Sequence, residues 1–310
     1  MDAPASTRLL RRISLRQLQI FDAIARTGSF TRAAEALFLT QPTVSMQVRK
    51  LEEGVGMPLF EHVGKQTHLT DAGKVVLSYV REVLDALANV HMEIADMQGL
   101  KTGTLRLAVV TTAKYFAPRA LGRFCELYPG VEVALKVTNR ERLLERMTGN
   151  IDDLYIMGHP PDSDDVVFEP YLPNPLVVLA PRNHPFTGRK GISPGELAPY
   201  WFLMREAGSG TRMATEHFFA EHGIRLKIRM ELGSNEAIKQ AIDAGLGIAV
   251  LSRHTLSLEG DTGRLAVLDV RGFPIPWQWY VGHPRGKRLS VVARAFLEFL
   301  RSEGENILRP

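Results

Sequence analysis

Gly28-Ser-Phe-Thr-Arg-Ala-Ala-Glu-Ala-Leu-Phe-Leu-Thr-Gln-Pro-Thr-Val-Ser-Met-Gln-Val-Arg-Lys-Leu51 reads as two short helices joined by a tight turn. Ser29 is placed to cap the first, its hydroxyl accepting from an otherwise orphan backbone N–H. Ala33, Ala34 and Leu37 follow at helical spacing, and the small alanines let a second helix approach closely. Thr40 caps that second helix, and Pro42 fits its first turn, where a missing N–H costs nothing. Val44, Val48 and Leu51 recur at intervals of four and three and so face inward. The outward stripe is Gln41, Pro42, Thr43, Ser45, Met46 and Arg49, short, polar and free of acids. A helix with such a face suits the DNA major groove, offering amide, hydroxyl and guanidinium groups to base edges and phosphates. An ordinary helical hairpin with a wet outer face has the same pattern.

Working outward, residues 15–26 supply a first helix to a three-helix core, through Leu15, Leu18, Phe21, Ile24 and Ala25. Residues 1–13 read as a frayed start, with Arg8, Arg11 and Arg12 either near phosphates or solvated. Residues 58–70 read as a two-stranded wing turning at Gly64-Lys65, with Lys65 and His68 near the duplex; a plain hairpin is the alternative. The expected DNA-contacting set is Arg32, Thr40, Gln41, Pro42, Thr43, Ser45, Met46, Arg49 and Lys50, with Lys65 from the wing. Thr70 then caps a long helix running to about Gln98. Along it Val76, Val80, Val83, Leu87, Val90, Ile94 and Met97 make a heptad seam, widened by Leu77 and Leu84. A seam this long and narrow calls for the same helix of a second subunit; packing on its own C-terminal domain is the alternative. Gly99 and Gly103 read as a hinge.

The bulk properties agree. At 310 residues the length prior is about two domains. Residues 1–70 hold nine Lys and Arg against six Asp and Glu, so +3 of the net +4 lies with the helix pair. No apolar run approaches the roughly 18 residues of a membrane span. The N-terminus lacks the apolar core of a signal peptide, so a cytosolic protein is the simplest reading. Cys125, the single cysteine, excludes an intrachain disulfide. Enzyme signatures fare poorly. There is no Gly-x-x-x-x-Gly-Lys-Ser/Thr loop, His217 and His222 lack metalloprotease spacing, and Ser209 lacks a Gly-x-Ser-x-Gly frame. No metal site and no bound cofactor is expected.

From Leu105 short apolar strands alternate with helices, the signature of parallel βαβ units. Strands are expected at 105–110, 131–137 and 154–157, with helices at 114–128 and 139–149. Residues 158–175, rich in Pro, Asp and Gly, read as a crossing into a second lobe. That lobe has strands at 176–179, 201–204, 226–232 and 248–251 and helices at 211–222 and 235–244. Strands at 265–270 and 277–282 then return to the first lobe, and a final helix covers 290–303. The expected division is 14–70 for DNA binding, 71–98 for the dimerising helix and 101–310 for two lobes. Lobe I takes 101–165 and 268–310, and lobe II takes 166–267.

Two lobes joined by two crossings make a cleft, where ligands bind. Gly208-Ser-Gly-Thr-Arg212 follows a strand and opens a helix, an anion seat of backbone N–H groups. Ser209 and Thr211 add hydroxyls around Gly210, while Arg212 and Arg205 are placed to clamp, with Glu206 orienting an arginine. Thr111, Thr112 and Lys114 make a second seat at the matching turn of lobe I. Asn139, Arg140, His159 and Asn235 follow strand ends and are expected to line the same cleft. Each seat alone is also what a glycine-rich turn with a helix cap looks like. Together they point to a small phosphate or carboxylate ligand.

These stretches carry a resemblance. The 28–51 block, Pro58-Leu-Phe-Glu61, Leu69-Thr-Asp-Ala-Gly73 and the two-lobed remainder resemble the LysR-type transcriptional regulators over essentially the full length. Leu15-Arg-Gln-Leu-Gln-Ile-Phe21, Thr40-Gln-Pro-Thr-Val-Ser-Met-Gln-Val48 and Lys114-Tyr-Phe-Ala-Pro118 look like the CbbR type, regulators of the RuBisCO and Calvin-cycle operon. So do Ile156-Met-Gly158, Gly208-Ser-Gly-Thr-Arg212 and Leu232-Gly-Ser-Asn-Glu-Ala-Ile-Lys239. His62 and His159 stand where arginine is usual, and Ala207 where proline is. The resemblance implies an α/β chain with a winged helix-turn-helix, a linker helix and a periplasmic-binding-protein-like effector domain. It also implies tetramers that bend promoter DNA, RNA polymerase as a further partner, and a phosphorylated Calvin-cycle metabolite or NADPH as effector.

Overall fold

A computed structural model of the chain describes residues 13–63, 66–97, 102–257 and 263–308. The Gly64-Lys65 turn, Arg8, Arg11, Arg12 and Gly99 lie outside them. The chain divides into two compact units at Ile94/Ala95.

In the first unit, α1 (Leu15–Thr27) starts at a capping box between Ser14 and Gln17 and stops at Gly28, whose φ of 63° is left-handed. Helix α2 (Phe30–Ala36) is capped by Ser29, and α3 (Gln41–Val55) by Thr40 with Pro42 in its first turn. Ile20, Ile24, Ala33, Ala34, Val44 and Val48 form one core. The alanines are what let the helices close on it. Strands β1 (Phe60–Val63) and β2 (Gln66–Leu69) pair antiparallel as the wing.

Helix α4 (Asp71–Met97) follows. Thr70 Oγ accepts from the Gly73 N–H at 3.0 Å and donates to the Pro58 carbonyl at 2.8 Å. This brings the helix start so close that a Cβ on Gly73 would sit 2.1 Å from the Leu59 carbonyl oxygen. The Leu59 carbonyl is backbone and cannot yield cheaply, and Leu69 Cδ2 stands 3.0 Å away as the next neighbour. Gly73→Ala is therefore expected to destabilise this unit by about 1–3 kcal/mol, the usual overpacking cost, read as a lowered melting temperature with α-helical content retained at room temperature.

The heptad seam divides. Val76, Leu77, Val80 and Leu84 pack against Phe21, Leu51 and Leu59 within the unit. Val83, Leu87, Val90, Ile94 and Met97 are exposed, with Met97 at 86%. The reason is geometric: seven residues of straight helix fall about 20° short of two full turns, so one stripe cannot face one neighbour throughout.

The second unit holds both lobes. In lobe I, β3 (Gly103–Val110), β4 (Val131–Thr138), β5 (Leu154–Met157), β6 (Val166–Pro173) and β12 (Gln278–Pro284) form one sheet in the order β4-β3-β5-β12-β6. The β4, β3 and β5 strands run parallel, and β12 pairs antiparallel with β5 and β6. Helices α5 (Ala117–Leu127), α6 (Arg140–Thr148) and α9 (Val291–Leu308) flank it. Phe124 meets Phe296 and Phe299 at 5.0 and 5.6 Å in the core between α5 and α9. A short 3₁₀ turn at Ala113–Tyr115 precedes α5, because Pro118 belongs in a helix's first turn and not its interior.

In lobe II, β7 (Leu176–Pro181) is flanked by β10 (Ala249–Ser252) and β11 (Leu265–Leu268), all antiparallel. Strands β8 (Trp201–Arg205) and β9 (Lys227–Leu232) pair in parallel and join β10 through a bridge between Phe202 and Ile248. Leu176, Val178 and Ala180 face a core with Phe218 and Phe219 of α7 (Gly210–Glu221). Val177 and Leu179 face Ile238 and Ile242 of α8 (Asn235–Asp243). Burial on both faces is why this strand reads as an unbroken apolar run.

Two assignments change. Residues 166–173 form β6 of lobe I rather than opening lobe II, and 265–268 form β11 of lobe II rather than returning to lobe I. Bridges from Leu176 to Ile275 and from Ile192 to Val270 hold the following chain in lobe II. The crossings therefore lie at 174–175 and 276–277, tied by the Asn174 N–H donating to the Trp277 carbonyl at 2.7 Å. Which sheet an edge strand joins depends on its distant partner, which local composition does not encode.

Candidate functional site

On the winged helix, burial of Val44, Val48 and Leu51 turns Gln41, Pro42, Met46, Arg49 and Lys50 outward as exposed residues, with Thr43 and Ser45 partly so. Gln41 Nε2 donates to Ser45 Oγ at 2.9 Å, and the Thr40 and Thr43 hydroxyls share a bond of 2.8 Å. Glu53 reaches back to Arg49 at 3.5 Å in an exposed pair of little strength. Arg32 is exposed on α2. Lys65 lies outside the described residues.

The second site lies between the lobes. Its neck is lined by Thr111, Thr112, Asn139 and Arg140 from lobe I and by Ser209, Gly210 and Thr211 from lobe II. Asn174 and Trp277 close it from the two crossings. The enclosed space is about 20 Å³, room for about one water. Beyond Arg140 and Ser209 it widens into a groove of about 940 Å³ between α6 and α7.

Each neck residue is placed by its element. Ser209 caps α7 and Asn139 caps α6, so both helix N-termini aim at the neck. Thr112 Oγ accepts from the buried Trp279 indole at 3.0 Å. Arg140 donates through Nε to the His159 carbonyl at 2.8 Å. Among the described residues no acceptor meets its outer guanidinium nitrogens; burial alone moves its pKa, downward, and leaves it charged.

The other expected cations are taken. Arg205, its side chain 1% exposed, forks onto Glu206 at 2.7 and 2.8 Å. It also bonds Asn235 at 2.7 Å and Thr111 across the lobes at 3.0 Å. It is an internal strut, not an open clamp. Lys114 and Tyr115 both donate to Glu236 at 2.5 Å, a second tie between lobes. Burial pushes the Glu236 carboxyl up, yet these two donors outweigh it and hold it at about 2. Arg212 pairs with Glu216 at 2.8 Å and with Glu231, and lines the outer groove only. The His159 ring is exposed and lies against Trp277 at 5.6 Å, leaving only its carbonyl toward the site. Lys114, Arg205, Arg212, His159 and Asn235 thus surround the neck rather than line it. Carboxylates hold the three cations, and the His159 ring packs on Trp277. Asn235 Oδ1 accepts from Arg205, while its Nδ2 is buried with no described hydrogen-bond partner.

Sequence reading misses Asn174 and Trp277, whose segments show no periodicity or motif. Asn174 is buried with Oδ1 unpartnered. A buried orphan amide beside a cleft calls for a polar group to meet it.

Comparison with known proteins assigns both parts of the chain to one family. Residues 15–74 match the bacterial regulatory helix-turn-helix protein, lysR family, and residues 98–305 match the LysR substrate binding domain. The chain belongs to the LysR family. Over 298 residues this LysR-family chain is 49% identical to the HTH-type transcriptional activator CmpR of Synechocystis sp., covering 96% of this chain and 98% of that one. It is 51% identical to the RuBisCO operon transcriptional regulator of Acidithiobacillus ferrooxidans, covering 96% and 97%. The solved Synechocystis CcmR regulatory domain in complex with 2-PG is 52% identical, with a TM-score of 0.64, covering 66% of this chain and 99% of that one. Among the described residues no helix is long and apolar enough to cross a membrane, and no group of three His, Cys, Asp or Glu side chains gathers for a metal.

Proposed function

We propose that this LysR-family chain controls carbon-fixation genes, including a RuBisCO operon, in response to a small phosphorylated acid bound in the interlobe neck. The observation that carries the effector reading is Arg140: a guanidinium at the neck whose outer nitrogens meet no described acceptor, facing the N-terminus of α7 across it. A phosphate there gains the arginine fork, the helix N–H groups and the Ser209 hydroxyl together. The relatives' names support the carbon-fixation reading, and the 2-PG complex of the similar CcmR domain supports the ligand class. A phosphorylated Calvin-cycle metabolite is of this class too; NADPH is a larger alternative that shares only the phosphate chemistry and would reach into the outer groove. The neck must open for any of them, so the Lys114–Glu236 and Arg205–Thr111 ties are what a ligand works against. Only a difference in affinity between two arrangements shifts them.

The exposed half of the α4 seam pairs two subunits, and pairs assemble into tetramers on promoter DNA. Two recognition helices then read half-sites about 34 Å apart, or a multiple of that. The protein acts in the cytoplasm as a regulator without catalytic turnover, with RNA polymerase as further partner.

Titration calorimetry with 2-PG and with inorganic phosphate tests the effector, and footprinting on carbon-fixation promoters tests the DNA contact. Gln41→Ala is expected to cost about 1–3 kcal/mol on its cognate site. Arg49→Ala is expected to weaken all sequences alike and flatten the salt dependence by about 0.9 in slope. Undiminished protection and salt slope in both variants would sink the recognition-helix assignment.

A further inference from the structure

The neck and the outer groove meet at Arg140 and Ser209, the residues that line both. Beside that junction the two lobes touch. The Glu141 N–H of α6 donates to the Gly208 carbonyl, which precedes α7, at 3.3 Å. Gly208 holds a φ of 77°, a left-handed backbone that glycine adopts without strain. Its missing side chain leaves a space, and Glu141 fills it. A Cβ on Gly208 would overlap Glu141 Oε2 and stand 2.8 Å from its Cβ and 3.4 Å from its Cδ.

Glu141 is exposed, and among the described residues neither a cation nor a hydrogen-bond donor meets its carboxylate. The arginines nearby are turned elsewhere, Arg140 to the His159 carbonyl and Arg212 to Glu216 and Glu231. The carboxylate instead lies against Gly208, next to Ser209, the cap of α7. A helix N-terminus favours any negative group beside it, a protein carboxylate as well as a phosphate. An acid in the first turn of α6 also suits that helix's own dipole. That role alone needs no glycine on the opposite lobe.

We infer that Glu141 is a resident anion guarding the interlobe seat: an incoming phosphate must displace its carboxylate from Gly208. This rests on the effector reading above. With the lip closed, the entrance carries the protein's own negative charge, so every anion binds more weakly than Arg140 and α7 alone would hold it. Inorganic phosphate has only those contacts to set against the repulsion. A ligand whose further groups reach Thr112 and Asn174, deeper in the neck, has more. Repulsion of the wrong ligand is as effective a source of selectivity as attraction of the right one.

The test is titration calorimetry of the full-length protein with 2-PG and with inorganic phosphate. E141Q keeps the shape of the side chain and removes its charge. It is expected to bind both anions about threefold to tenfold tighter than wild type at about 0.05 M ionic strength, the effect of one partly screened charge at close range. The gain should shrink at about 0.5 M, where exposed charges are screened. E141D keeps the charge but is one methylene too short to fill the space on Gly208, so it should gain less than E141Q. E145Q, one turn further along α6, should gain less than about twofold. Melting curves of each variant check that the effector domain remains folded. Wild-type binding of 2-PG with no gain in E141Q and E141D, or with an equal gain in E145Q, overturns the inference and leaves the effector reading standing. Failure of wild type and E141Q alike to bind either anion overturns the effector reading, and this inference with it.

Discussion

Arg205→Ala is expected to cost the effector domain about 3–5 kcal/mol, the loss that follows when one partner of a buried ion pair is removed. Arg205 is among the largest fully buried side chains of the chain. Its guanidinium satisfies both Glu206 oxygens, Asn235 Oδ1 and Thr111 Oγ at once. Alanine leaves a carboxylate that is mostly withdrawn from water with neither bond, and removes a tie between lobes. Lysine keeps the charge but has no planar fork, so Arg205→Lys should recover only part of the loss. The three tryptophans, Trp201, Trp277 and Trp279, all lie in the second unit. Their fluorescence in a denaturant titration of the full chain therefore follows that unit separately. A shift in its midpoint equivalent to less than about 1 kcal/mol would place Arg205 among ordinary surface pairs and remove the strut from the account.

Arg140→Ala should weaken 2-PG by about 1.5–3 kcal/mol, the range for hydrogen bonds to a charged group. In titration calorimetry that is a loss of roughly 10- to 150-fold. Arg140→Lys should fall between the two, since it retains charge without bidentate geometry. Arg212→Ala is the contrast. Its guanidinium is already engaged by Glu216, Glu231 and the Arg205 carbonyl, so its removal should leave the 2-PG affinity within about 0.5 kcal/mol, as surface substitutions do. The reverse pattern, affinity lost in Arg212→Ala and kept in Arg140→Ala, would move the anion seat into the outer groove. Melting curves of both variants separate lost contact from lost fold.

Much of the architecture is legible residue by residue. Ser29, Thr40 and Thr70 announce helix starts because each supplies a hydroxyl that a helix N-terminus lacks. Val44, Val48 and Leu51 announce the buried side of α3 because a helix turns every 3.6 residues. The strand-to-helix turns at 111–114 and 208–212 mark both walls of the cleft in the same way. Less legible are β6 and β11. The Pro, Asp and Gly of 158–165 do mark a loop, but the strand after it pairs with β12, more than a hundred residues later in the chain.

The sequence alone determined that this chain has a three-helix DNA-binding head with a wing, a long amphipathic helix and two α/β lobes. Those features follow from periodicity, capping and glycine placement, which act over a few residues. Only the tertiary structure decided which basic side chain of the cleft stays available. Lys114 and Arg140 look alike in sequence, but Glu236, 122 residues away, takes the first, and no described acceptor takes the outer nitrogens of the second. Coulomb attraction and desolvation depend on distance in space, and the fold alone sets that distance for groups so far apart along the chain.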